Sequence, residues 1–187
     1  MLKRLRRRKP ATLVVVVLAA TLLAGSTAAA TAPTRGDKQV SVKAWSTSAC
    51  KGLSTWERRL TQLGPGDAAD AAAAKAALTA FLSGAARATG RLVTTLRRAG
   101  VPAVTHGAEI AAAFISAAKG LRASYVEAGA AASTLPTDDP VAAQALQTQI
   151  QTAETTLRTA VAEAAAKYPS KKLDRALFAT KACSNLG

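Results

Sequence analysis

From Leu78 to Ala99 the residues Leu78, Leu82, Ala85, Thr89, Leu92, Leu96 and Ala99 recur at alternating steps of four and three. That spacing gathers all seven on one side of an α-helix and scatters them over both faces of a strand. The same rhythm runs through Trp45, Ala49, Leu53, Trp56, Leu60 and Leu63. It returns in Ile110, Phe114, Ala117, Leu121, Tyr125, Ala128, Ala132 and Leu135, and again in Leu146, Ile150, Ala153, Leu157, Ala160 and Ala164. Alanine supplies 47 of the 187 residues and carries no side-chain entropy cost in a helix. Aromatics are only 4%, too few for the strands of a β-sandwich, which favour β-branched and aromatic side chains. The predicted fold class is all-α: an up-down antiparallel helical bundle of three long and two short helices.

Breakers divide the pattern. "GPG" at 64–66 ends a first helix that begins near Val42, and Asp67 is placed to cap a second running to Ala99. Gly100 suits a left-handed cap, and Pro102 suits the first turn of a third helix reaching Leu135. "PTDDP" separates a fourth, capped by Asp139 with Pro140 in its first turn and ending near Tyr168. "YPS" precedes a short last helix, Lys171 to Cys183. Glu154–Arg158 and Glu163–Lys167 are i,i+4 pairs in the favourable order. Gly84, Gly90, Gly107, Gly120 and Gly129 are expected to let helix backbones approach closely.

The first thirty residues read as an address. "MLKRLRRRKP" is strongly positive, Ala11 to Ala24 is an uncharged apolar run, and Ala28 and Ala30 offer small residues for cleavage. This is the three-part form of a secretory signal peptide. Retention of residues 11–32 as a single-pass anchor is the alternative, weakened by Gly25, Ser26 and Thr27. Ser26 stands where a lipoprotein signal carries its cysteine, so no lipid anchor is expected. The organisation expected is a signal peptide over residues 1–30, a flexible leader over 31–41 and a helical domain over 42–187.

Export frames the cysteines. Cys50 and Cys183 are the only two, and an exported chain with an even number most simply pairs them. Two thiols and one histidine make a poor zinc site, and no CxxC motif occurs. A Cys50–Cys183 disulfide binding the first helix to the last is therefore predicted, with no metal centre.

Candidate chemistry is thin. His106, the single histidine, is either a surface residue beside Glu109 or an axial haem ligand partnered by Tyr125 or Tyr168. The acids form no obvious dyad, and neither a G-x-S-x-G elbow, a phosphate-binding G-x-x-x-x-G-K-[ST] loop nor an H-E-x-x-H helix is present. No catalytic residue and no resident cofactor is assigned, and an enzyme is not expected.

Charge is the one distributed feature. The net charge is +14, and a chain cut near residue 30 keeps 19 basic and 11 acidic residues, still +8. If Leu82 and Leu96 occupy a positions of a heptad, then Arg87 falls at f, Arg91 and Arg98 at c and Arg97 at b, all away from the seam. Lys171, Lys172 and Arg175, with Lys167 and Lys181, gather near the C-terminal end. An ordinary solvated face is the plain explanation of such residues. The functional one is binding of polyanions: teichoic or other phosphate-rich envelope polymers, or anionic lipid heads. Nucleic acid is not expected, because no aromatics are interleaved with the arginines and the signal peptide directs export. The expectation is an exported, non-enzymatic protein of a bacterial envelope or medium, binding a protein partner or an anionic envelope polymer. A carrier of lipid or haem within the bundle, or a membrane-anchored coiled coil, are the alternatives; membrane contact is expected only if residues 11–32 are retained.

Overall fold

The computed structural model describes residues 38–64, 70–136 and 140–184. Over them the chain is mostly helical. Six helices follow one another: α1 (Val42–Gln62), α2 (Ala71–Ala99), α3 (Gly107–Thr134), α4 (Pro140–Lys167), α5 (Lys171–Phe178) and α6 (Lys181–Ser184). α2 packs on α1 and α3, α3 packs on α4, and both α5 and α6 pack on α1. The signal peptide, the anchor alternative at 11–32, residues 31–37 of the leader and the caps proposed at Asp67 and Asp139 lie outside the described residues, as do the side chains of Leu146, Ile150, Ala153, Glu154, Leu157, Arg158 and Ala160.

The heptad stripe of α2 is the centre of the core. Leu82, Ala85, Thr89, Leu92, Leu96 and Ala99 are all buried, and Leu78 is half-buried. Two clusters share that stripe. One gathers Leu92, Val93 and Leu96 with Val42, Trp45 and Ala49 of α1, Ile110 and Ala118 of α3 and Leu173 of α5. The other gathers Leu82, Ala85 and Ala86 with Leu121, Tyr125, Ala128 and Ala132 of α3. Trp56 touches both. With so few aromatics the large side chains are concentrated at these points: Trp45 meets Phe114 edge-to-face, ring centroids 5.4 Å apart at 85°.

Local chemistry sets the helix ends, and in several places differently from the expectation. Ser41 caps α1 by accepting from the Ala44 N–H at 3.2 Å. Asp70, not Asp67, caps α2, its carboxylate accepting from the Ala73 N–H at 2.8 Å. Pro102 is not in the first turn of a helix. It lies in a two-residue strand, β2 (Val101–Pro102), paired in parallel with β1 (Gln39–Val40). Val101 N–H donates to Lys38 O at 3.1 Å and Ala103 N–H to Val40 O at 2.9 Å. Donors alternate along a parallel strand, so the proline occupies the position that needs no N–H. The last four leader residues, 38–41, thus carry a strand and a helix cap, and α3 starts at Gly107.

Gly100 makes this turn possible. Its φ of 76° with ψ of −153° is a region open essentially to glycine, and a Cβ there would run into the Lys38 carbonyl. Trp45 Nε1 donates to the Gly100 carbonyl at 3.1 Å, tying the turn to α1. At Gly84, Gly90 and Gly129 what comes close is a side chain of another segment, Leu63, Arg122 and Leu82, rather than a helix backbone, and Gly107 meets the Pro102 carbonyl of its own turn. Gly120 faces open space.

The single last helix expected from 171 to 183 is two. Ser170 caps α5 at the Leu173 N–H, 3.3 Å away. Winding tightens at its end, where Thr180 N–H bonds Leu177 O at 3.0 Å and the Thr180 hydroxyl reaches Ala176 O at 2.7 Å. α6 then restarts and places Cys183 against α1. Cys50 and Cys183 form the expected disulfide, with Cα atoms 5.0 Å apart across 133 positions.

Candidate functional site

The basic residues were expected to define two groups. On α2, Arg87, Arg91, Arg97 and Arg98 are exposed, and so are Lys171, Lys172 and Arg175 on α5. None of the seven takes part in an ion pair among the described residues. Arg87 Nη1 donates to Ser83 Oγ at 2.6 Å, and Arg175 Nε to the Lys171 carbonyl at 3.1 Å. Both bonds leave further guanidinium donors directed to solvent. The two groups sit on different helices, one on α2 at the centre of the core and the other on α5, which packs on α1.

Glu109, in the first turn of α3, accepts a backbone hydrogen bond that holds its carboxyl below the usual glutamate range; partial desolvation opposes this, and the neighbouring His106 side chain adds to the lowering. His106 Nδ1 lies 3.5 Å from Glu109 Oε1. The His106 backbone is left-handed, φ 58°, at the N-cap of α3, and its side chain makes no capping bond.

His106 also meets Tyr168, ring centroids 5.2 Å apart and tilted by 35°. Lys167 Nζ stands over the same tyrosine ring, 5.4 Å from its centroid. A macrocycle between two axial ligands needs their donor atoms facing one another across the iron. Here the two rings pack against each other instead, and Tyr125 lies buried in the other cluster beside Leu121. This geometry gives the haem reading no support.

Along α4 an open groove of about 510 Å³ is lined by Thr148, Gln151, Thr152, Thr155, Thr156, Thr159 and Glu163. The hydroxyls of Thr148, Thr152, Thr155 and Thr156 donate to carbonyls four residues earlier, at 2.8–3.0 Å. Its lining mixes threonine methyls with hydroxyl, amide and carboxylate groups and lies open to solvent, unlike the enclosed cavity that buries most of a carried ligand.

Among the described residues no group of three or more His, Cys, Asp or Glu side chains converges, and no helix is long and apolar enough to cross a membrane. Compared with protein families, curated proteins and solved structures, the chain has no match.

Sequence reasoning passed over Phe178. Its ring is 85% exposed at the end of α5. The signal was available: Phe178 lies three positions after Arg175 and seven after Lys171, whereas the buried side of α5 runs through Leu173, Ala176 and Leu177.

Proposed function

We propose that the chain is an exported, non-enzymatic helical protein of the bacterial cell envelope or medium, processed after residue 30, that holds an anionic envelope polymer or a protein partner on its basic helix faces. Residues 42–187 would form an up-down antiparallel bundle. Three contacts between α2 and α3 support that topology, because they run in opposite chain directions: Lys75 with Leu135, Leu82 with Gly129 and Gly90 with Arg122.

The observation that carries the functional reading is the state of the seven basic side chains. All are exposed and none is spent on a carboxylate among the described residues. Their charge is therefore available to an external anion, and the polymer is the version of the reading that this favours. Binding through exposed charges weakens with salt, because they are screened beyond roughly 8 Å at physiological ionic strength.

The test is binding of the protein to a soluble teichoic acid and to inorganic polyphosphate at rising salt. The expected result is salt-reversible binding, weakened when Arg87, Arg91, Arg97 and Arg98 are replaced by Gln, and weakened again when Lys171, Lys172 and Arg175 are. Binding that ignores both salt and these seven replacements would overturn the reading. Export is tested separately, by the mass of the protein in its host's medium: a chain beginning near Thr31 is expected, and a full-length chain held in the membrane fraction would replace export with anchoring.

A further inference from the structure

Phe178 is the one aromatic side chain fully exposed among the described residues. Singly exposed apolar residues are common and need no explanation alone. What sets this one apart is its company. Lys171 and Arg175 share its helix face with Asp174, the only acid on α5, while Lys172 stands about a third of a turn round, so cations outnumber the acid there by three to one. The opposite face is committed, since Leu173 is buried in the main cluster and Ala176 and Leu177 pack against it. The disulfide anchors α6 to α1 immediately beyond. With its other face packed on the core and the disulfide just beyond, α5 presents Phe178 outward.

Resting on the reading of the basic faces just given, we propose that this end of the molecule is a docking surface for an anionic phospholipid bilayer, with Phe178 entering the interfacial layer and Lys171, Lys172 and Arg175 on the headgroup phosphates. A soluble polymer would use the three cations and leave the phenyl ring in water. A protein interface needs a contiguous apolar centre within roughly 1,000 Å² or more of buried surface, which one ring circled by charges does not supply. A bilayer asks for just this combination: an apolar side chain to insert, and nearby basic residues drawn to the negative surface. The site lies on α5, so it does not depend on retention of residues 11–32.

The test uses the full chain with Phe178→Trp, the emission of native Trp45 and Trp56 being subtracted from the unsubstituted protein. Vesicles contain either phosphatidylglycerol or phosphatidylcholine alone, each with bromine-labelled acyl chains. The expected result is a blue shift and quenching of the new indole on phosphatidylglycerol vesicles. It should be absent on phosphatidylcholine, reversed by salt and lost when Lys171, Lys172 and Arg175 are also replaced by Gln. A retained N-terminal segment carries its own basic run at positions 3–9 and would favour phosphatidylglycerol by itself, so it is the loss of the shift on replacing Lys171, Lys172 and Arg175 that assigns the binding to α5. An unshifted indole in a protein that still binds polyphosphate would overturn this inference and leave the polymer reading standing. Equal shifts on both vesicles would overturn the role of charge. Failure to bind either vesicles or polyphosphate would overturn both readings.

Discussion

Trp56 Nε1 donates a hydrogen bond to the hydroxyl of Thr89 at 3.0 Å, and that hydroxyl donates in turn to the Ala85 carbonyl at 2.8 Å. Thr89 is fully buried at the middle of the α2 stripe, where a leucine or alanine would satisfy the heptad. Among the described residues the indole is the one partly buried hydrophobic side chain packed against both core clusters. A polar pair therefore ties α1 to α2 at the junction between the two apolar clusters.

Replacing Thr89 by Val keeps the volume but leaves the indole N–H without its acceptor. The expected loss is about 1–3 kcal/mol, the cost of an unsatisfied buried donor. Trp56→Phe removes the donor as well, so the double variant should lose less than the sum of the two single losses. Chemical denaturation of the four proteins checks this, and strict additivity would mean that the bond contributes nothing specific.

Gly100 and Gly120 should respond in opposite directions to alanine. At Gly100 the backbone has φ 76° and a Cβ would collide with the Lys38 carbonyl, so Gly100→Ala should cost about 2–3 kcal/mol. It should also disturb Trp45, whose indole bonds that residue's carbonyl. Gly120 lies inside α3 with nothing within 4 Å of an added Cβ, and Gly120→Ala should stabilise by up to about 1 kcal/mol. Thermal melts followed by circular dichroism and tryptophan emission separate the two. A stabilised Gly100→Ala protein would refute the strained turn.

These residues mark what was legible in the sequence. The stripe from Leu82 to Ala99 could be read because a helix repeats within the chain itself, and each residue's face follows from its neighbours three and four away. The disulfide could be read because two cysteines allow a single intramolecular pairing. The strand pair could not. Nothing near Gln39–Val40 shows that its partner is Val101–Pro102, some sixty positions on, and Pro102 fits a helix start as well as a donor-free strand position. Asp67 and Asp70 both precede the alanine run of α2, and composition cannot choose which of them caps it. On α5 the cations could be listed from composition, whereas the exposure of Phe178 follows from where α1 and the disulfide hold that helix.

Glu109 predicts a dependence on acid pH. Its carboxyl is held below the ordinary range by a backbone hydrogen bond first and by His106 second. A group whose folded pKa lies below its unfolded one stabilises the fold fully above the unfolded value, about 4.3 for glutamate, and loses that contribution as the pH falls through the folded value. The carboxylate is solvent-exposed, so the effect should be small. Glu109→Gln should melt slightly below the parent at neutral pH, and the two should converge in acid. A gap that stays constant from neutral to strongly acid pH would show that the carboxylate's charge is not what matters there.

The disulfide should matter most. On the chain-entropy model, closing a loop across 133 positions stabilises by up to about 5 kcal/mol, less where the unfolded chain retains structure. Domains of this size are stable by about 5–15 kcal/mol in all, so Cys50→Ala with Cys183→Ala should lower the melting temperature more than any single core substitution. The loss should also be local before it is global. α5 and α6 reach the rest of the described structure mainly through α1, with Leu173 the one fully buried side chain of α5, whereas α2 and α3 share the long stripe that forms both clusters. Hydrogen exchange on the double variant should therefore show α5 and α6 deprotected while the amides from Leu82 to Leu96 stay slow. Uniform loss of protection along the chain would instead mean that the C-terminal segment and the long helices unfold as one unit.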